Sequence, residues 1–288
     1  MTFTQRREKF RAILAGDKCI HPASVFDPMS VRMAEAIGYE VAMLAGSVAA
    51  LTILGSPDIC LITLSEFAEQ CRRICRAAGL PLFIDADHGY GNALSVMRTV
   101  EETEAAGVSC LTIEDTLLPR AYGPSDKMQL LSMEEGIGKM KAAVAARLDK
   151  SYVVVARTSA IQVNGLEDAI RRAKAYQQCG VDGLFFTGVK DLAMLDALRA
   201  ELKLPLLLGN AEKPIGDRET MAARGVRVML QGHTPQRAGV KAVYDAMKAL
   251  RDAADPSEIV VASNAIVGQA IRQADYAQWT KDYLGGTP

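Results

Sequence analysis

Asp85 and Asp87 stand two positions apart at the end of an apolar run, in P-L-F-I-D-A-D-H-G-Y-G-N-A (residues 81–93), and Glu114 closes another such run as I-E-D. Carboxylates carried to the ends of buried segments cannot all stay ionised side by side without a compensating cation. Their oxygens are hard donors and the chain has only 3 histidines, so the pattern points to Mg²⁺, or Mn²⁺ in its place, rather than to zinc. The other reading of each aspartate is a helix N-cap or a solvated loop carboxylate. It suits Asp87, close to the next helical segment, better than Asp85. His88 follows at once, where it could orient the neighbouring carboxylates.

Other apolar runs also end in polar groups: Ser24 and Asp27, Gly46 and Ser47, Arg157, Thr187, Asn210 and His233. Arg157 closes Y-V-V-V-A-R-T. An arginine at that depth needs anionic company, either a bidentate substrate carboxylate or a structural ion pair with Glu114 or Asp115. His233, in Q-G-H-T-P, is a candidate to bind substrate or move a proton. Lys190 in T-G-V-K reads as an exposed turn lysine rather than a Schiff-base lysine. G-Y-G-N is too poor in glycine for a dinucleotide fingerprint, and neither G-x-x-x-x-G-K-[ST] nor G-x-S-x-G occurs.

The elements that would carry these groups are eight short apolar runs, near residues 20–25, 41–45, 80–85, 110–114, 152–156, 183–186, 204–208 and 226–230. Continuous apolar runs suit strands covered on both faces, as in a parallel sheet. Helix-period segments lie between them, several stopping at a glycine: Gly38, Gly79, Gly107, Gly180 and Gly225. Eight strand–helix units predict an α/β fold, a (β/α)8 TIM barrel, with a doubly wound open sheet as the alternative. A barrel puts its functional groups at the C-terminal ends of the strands, where the polar residues above fall. No Pro- or Ser-rich linker divides the chain. Residues 1–288 are therefore expected to form one barrel domain, with 255–288 as a C-terminal helical extension.

Composition narrows the partners. Lys plus Arg (33) and Asp plus Glu (34) nearly cancel, leaving no global field for nucleic acid or an anionic membrane. No apolar run approaches the roughly 20 residues that cross a bilayer. The start is charged and amphipathic, a first helix packing Phe10, Ile13 and Leu14 inward, so a cytoplasmic protein is expected. The 6 cysteines show neither disulfide nor zinc spacing, and Cys71 and Cys75, one helical turn apart, read as buried free thiols.

With D-A-D-H-G-Y-G after the third run, I-E-D in the fourth and A-G-S-V-A-A after the second, the chain resembles the isocitrate lyase/phosphoenolpyruvate mutase superfamily from about Phe10 to Ala270. The resemblance implies a (β/α)8 barrel, a Mg²⁺ site, and 2-oxo acids bound through their carboxylates. It further implies a homotetramer, a dimer of dimers that swap C-terminal helices. Carried onto this chain, it makes Asp85, Asp87 and Glu114 the metal residues and Ser47, Arg157, His233 and Asn210 the substrate contacts. Asp58, in G-S-P-D, and His88 become supporting groups. Lyases of the superfamily carry a K-[KR]-C-G-H loop whose cysteine is acid/base; here T-L-L-P-R-A-Y-G-P-S-D-K stands in that place, without cysteine. Departing CO₂ needs no general acid. The loop and the H-T-P after the eighth run resemble the superfamily's oxaloacetate decarboxylases, and imply that oxaloacetate is converted to pyruvate and CO₂ through a metal-stabilised enolate. Hydrolytic cleavage of oxaloacetate to oxalate and acetate, or another carbon–carbon lyase reaction, is the alternative. A non-catalytic 2-oxo-acid binding protein is the remote one.

Overall fold

The computed structural model describes residues 1–120, 122–123, 127–209 and 215–285. All eight apolar runs become strands: β1 (Ala23–Ser24), β2 (Ala42–Leu44), β3 (Leu82–Asp85), β4 (Cys110–Glu114), β5 (Val153–Thr158), β6 (Gly183–Phe186), β7 (Leu206–Leu208) and β8 (Val226–Met229). They pair in parallel in sequence order. An isolated parallel bridge between Ile20 and Val228 brings β8 back to the chain entering β1. There the Ile20 N–H donates to Arg227 O (2.9 Å) and the Met229 N–H to Ile20 O (3.0 Å). This is the connectivity of a TIM-like barrel, each strand followed by at least one helix.

Side chains alternate along each strand, so Phe83 shares the inward face of β3 with Asp85. Phe83 meets Phe185 of β6 edge-on at 6.4 Å and Phe10 of the helix Phe3–Ala15 at 6.0 Å. These rings pack the interior beneath the carboxylates. Phe10 and Leu14 are buried, with Ile13 partly so, as the amphipathic start required. Gly38 ends the helix Pro28–Ile37 in the left-handed conformation, its N–H on Ala34 O and Glu35 O. Gly79 does not act this way: the helix Leu64–Ala77 stops before it, and Glu35 accepts the Gly79 N–H at 2.7 Å. Cys71 and Cys75 are buried free thiols.

After β8 the helix Thr234–Arg251 leaves the barrel with Gln236 as its one buried residue among those described. Val240, Val243, Tyr244, Met247 and Leu250 are all exposed along it. Beyond it come the helices Asn264–Ala270 and Gln273–Leu284. The first rests on the helix Pro28–Ile37, where Arg32 Nη1 donates to Ala270 O at 3.2 Å. Among the described residues no helix is long and apolar enough to cross a membrane.

Candidate active site

At the C-terminal ends of the strands lies a cavity of ≈ 540 Å³, lined by Ser47, Asp58, Asp85, Asp87, Glu114, Arg157 and His233. Met43, Leu118, Met128, Phe185 and Leu230 supply its apolar wall. Most of the site expected from sequence is thus brought together. Asn210 lies outside the described residues, as does part of the loop after β4.

Arg157 sits near the end of β5, where β4 and β5 pair Glu114 with Arg157 in register. Its Nη1 donates to Asp85 Oδ2, and its Nε stands 3.2 Å from Glu114 Oε2. The guanidinium also lies over the Phe185 ring, 5.5 Å from its centroid. Burial alone would lower its pKa; Asp85 and Glu114 outweigh that and hold it above the ordinary arginine range. Thr112 Oγ1 donates to Asp85 Oδ1 at 3.0 Å, fixing that carboxylate from the next strand. The ion pair with Glu114 was one of the two fates open to Arg157; the bond to Asp85 was not foreseen.

Arg157 thus stands among the carboxylates expected to hold the cation. Among the described residues, no three His, Cys, Asp or Glu side chains converge as a ready metal site. Arg157 pairs with Asp85 and Glu114, and Asp87 makes no such pair among the described residues. The loop after β3 turns sharply there, with Asp87 at φ 47°. Its side chain packs so closely on Gly46 that a Cβ on that glycine would meet Asp87 Oδ1 at 2.4 Å. Asp87 is 7% exposed, and its carboxylate takes no hydrogen bond from the described residues. Burial, then Asp85, Asp58 and Glu114, push its pKa well above the usual carboxylate range against the pull of Arg157. Burial also raises Glu114; Arg157 opposes this and Asp85 adds to it. Four lining carboxylates face one paired guanidinium, and one of them is buried without a donor. That is the chemistry of a hard, divalent cation site, so the donor set fits Mg²⁺.

His233 precedes the helix Thr234–Arg251, half-buried, with Nδ1 2.8 Å from Ser24 Oγ. Either tautomer satisfies that contact, and Nε2 is left for a ligand. Burial lowers its pKa and so favours the neutral ring, with Asp85 and Asp58 pulling the other way. Ser47 is half-buried in the first turn of the helix Gly46–Leu54. Lys190 is exposed, as expected.

His88 does not line the cavity and makes no hydrogen bond to a carboxylate among the described residues. Its ring is buried beside Tyr90, at 6.1 Å between centroids, and burial with the nearby Lys139 lowers its pKa to about 4. The loop is instead held by Lys139, 2% exposed, whose Nζ donates to His88 O at 2.9 Å. Sequence reasoning missed Lys139; its one signal is a lysine on the buried face of Met133–Ala146, with Gly136, Met140 and Ala143. Cys60 and Arg237, both lining residues, were missed too. Burial, followed by Asp87 and Asp58, pushes the Cys60 thiol up to about 12. Asp115 belongs to a layer behind the site, its Oδ2 accepting from Thr158 (3.1 Å), Arg172 (3.1 Å) and Tyr176 (2.7 Å).

The chain is similar to known proteins along nearly its whole length. The profile of the phosphoenolpyruvate phosphomutase family matches residues 10–251. A protein of Bradyrhizobium sp. named oxaloacetate decarboxylase is 53% identical over 285 residues, 99% of each chain. Among solved structures, a phosphonopyruvate hydrolase complex with oxalate and Mg²⁺ is 28% identical, with TM-score 0.86 over 99% of this chain and 100% of that one. An oxaloacetate acetylhydrolase with the inhibitor 3,3-difluorooxalacetate is 28% identical, with TM-score 0.84 over 99% of both chains.

Proposed function

This chain belongs to the phosphoenolpyruvate phosphomutase family, and on that premise we propose that it decarboxylates oxaloacetate to pyruvate and CO₂. One observation carries the reading: half-identity along the whole chain to oxaloacetate decarboxylases coincides with a carboxylate-rich cavity at the C-terminal ends of the strands.

A divalent cation, Mg²⁺ or Mn²⁺, held by Asp85, Asp87 and Glu114 would supply Lewis-acid polarisation of the 2-oxo group. The chain's own groups do the rest. Arg157, anchored through Nη1 and Nε, keeps Nη2 for the substrate's C1 carboxylate, with Ser47 beside it. The C3–C4 bond breaks, CO₂ leaves, and the bonding electron pair moves to the C2 oxygen as an enolate. Carbon 3 then takes a proton from water to give pyruvate. Neutral His233 hydrogen-bonds the substrate through Nε2, and Asp58 supports the site from the mouth. Asn210 is assigned to the substrate on the strength of its place after β7.

The exposed apolar row on Thr234–Arg251 supports a homotetramer built from pairs that exchange this helix. Each subunit is one barrel domain with residues 255–288 as a helical extension, working in the cytoplasm without nucleic acid or membrane. The deciding experiment supplies oxaloacetate to the Mg²⁺-loaded protein and identifies the products. Equal pyruvate and CO₂, lost on chelation and restored by Mg²⁺ or Mn²⁺, are expected. Oxalate and acetate would replace the reading with hydrolysis. Binding of oxalate without turnover of any β-keto acid would make the protein a binder only.

A further inference from the structure

We infer that Arg237 recognises the distal carboxylate of a four-carbon 2-oxo dicarboxylate at the cavity mouth, and so sets a preference for dicarboxylates. The inference deepens the decarboxylase reading and rests on it. Arg237 lines the cavity on the opening turn of Thr234–Arg251, four residues after His233, so both project from one face of that segment. It is exposed, and its side chain makes no hydrogen bond, ion pair or ring contact with the described residues, only its backbone N–H donating to His233 O at 3.3 Å. Arg157, the other lining guanidinium, is already shared between Asp85 and Glu114.

The charge balance gives this difference its meaning. Asp58, Asp85, Asp87 and Glu114 face the cavity against two arginines. A dianion therefore enters a field that is not positive without help. Arg157 is divided between the inner carboxylates and the substrate's C1 carboxylate, which leaves Arg237 as the lining cation free for the distal carboxylate among the described residues. The N-terminal end of its helix adds partial positive charge at the same place. An exposed arginine also suits the reaction. A rigid, buried cation on the distal carboxylate would stabilise the group that must leave as neutral CO₂, and would slow the bond cleavage. A solvated side chain can capture and orient the dianion, then release it. Its effect should fall on KM and on salt dependence, and spare kcat.

The test compares two ligands of the Mg²⁺-loaded protein by calorimetry: oxalate, which lacks a distal carboxylate, and 3,3-difluorooxalacetate, which carries one. In Arg237→Gln, binding of the difluoro compound should weaken about tenfold or more, the scale of a charge-assisted hydrogen bond, while oxalate binding stays within about twofold. KM for oxaloacetate should rise in parallel at unchanged kcat, and Arg237→Lys should recover part of the loss. Equal binding of both ligands by variant and wild type would overturn the inference, as would equal weakening of both or a fall in kcat at constant KM. Failure of the wild type to bind either ligand would overturn the decarboxylase reading, and this inference with it.

Discussion

Asp87 shows how a single carboxylate can belong to a site without bonding to any of it. Asp85 is held by Thr112 and Arg157, and Glu114 lies against the same guanidinium. Asp87 has neither, and burial among three other carboxylates pushes its proton affinity up. Leaving such a group buried is costly unless it is neutral or faces a cation. Asp87→Asn should therefore do little harm to the fold, since the amide removes a buried charge at nearly the same volume. The same change should weaken Mn²⁺ binding by at least about 100-fold, because even groups behind a metal ligand cost 10–100-fold when removed. Titration of Mn²⁺ by electron paramagnetic resonance checks the affinity, and thermal melting of the metal-free protein checks the fold. Unchanged Mn²⁺ affinity would remove Asp87 from the cation site.

Asp149 illustrates how elements distant in sequence are tied together. It accepts from Arg7 Nη1 and Thr4 Oγ1 of the helix Phe3–Ala15, each at 2.8 Å, and from Ser151 just before β5. Burial works to raise its pKa, but the bonds from Ser151, Arg7 and Thr4 prevail and hold it below the usual carboxylate range. A depressed folded-state pKa gives stability that is complete above the unfolded value of about 4 and is lost as pH falls through the folded value. Asp149→Asn should thus cost about 1–2 kcal/mol at pH 7 and flatten the loss of stability below pH 4. Urea unfolding at pH 7 and at pH 3 to 4 measures both effects, and parallel pH curves for variant and wild type would contradict them. Strands were the most legible elements, because an apolar run at a sheet centre needs no partner to be recognised. Edges were less so: the six-residue run near 20–25 shrinks to Ala23–Ser24, since Pro22 has no N–H to give a ladder. Arg157 falls inside β5, which runs on to Thr158, rather than just beyond the strand. Within the site, residue types at strand ends were readable, but their pairings were not. Arg157 with Asp85, Lys139 with the His88 carbonyl, and Asp115 with Tyr176 join segments that only the closed sheet brings together, and no local spacing encodes them.

On the scale of the whole molecule, the helix Thr234–Arg251 is the part that the barrel leaves unfinished. A helix with an apolar row normally buries it, yet Val240, Val243, Tyr244, Met247 and Leu250 stay 49–68% exposed. Covering five such side chains is worth on the order of 10 kcal/mol, comparable with the 4–15 kcal/mol that association costs. The balance supports a second copy as the cover, and makes the assembly sensitive to loss of two side chains. Val243→Glu combined with Met247→Glu should shift the protein to a smaller species in size-exclusion chromatography with light scattering, with the barrel still folded by circular dichroism. Activity should fall with it, because the same helix begins at His233 and Arg237, two residues of the cavity wall. Restoring the assembly at high protein concentration should then restore activity in the same measure. A double variant that keeps the wild-type mass would mean that this face meets something other than a second copy. A smaller species with full activity would mean that the opening turn of the helix is held by its own barrel, through the buried Gln236 and the bond between His233 and Ser24.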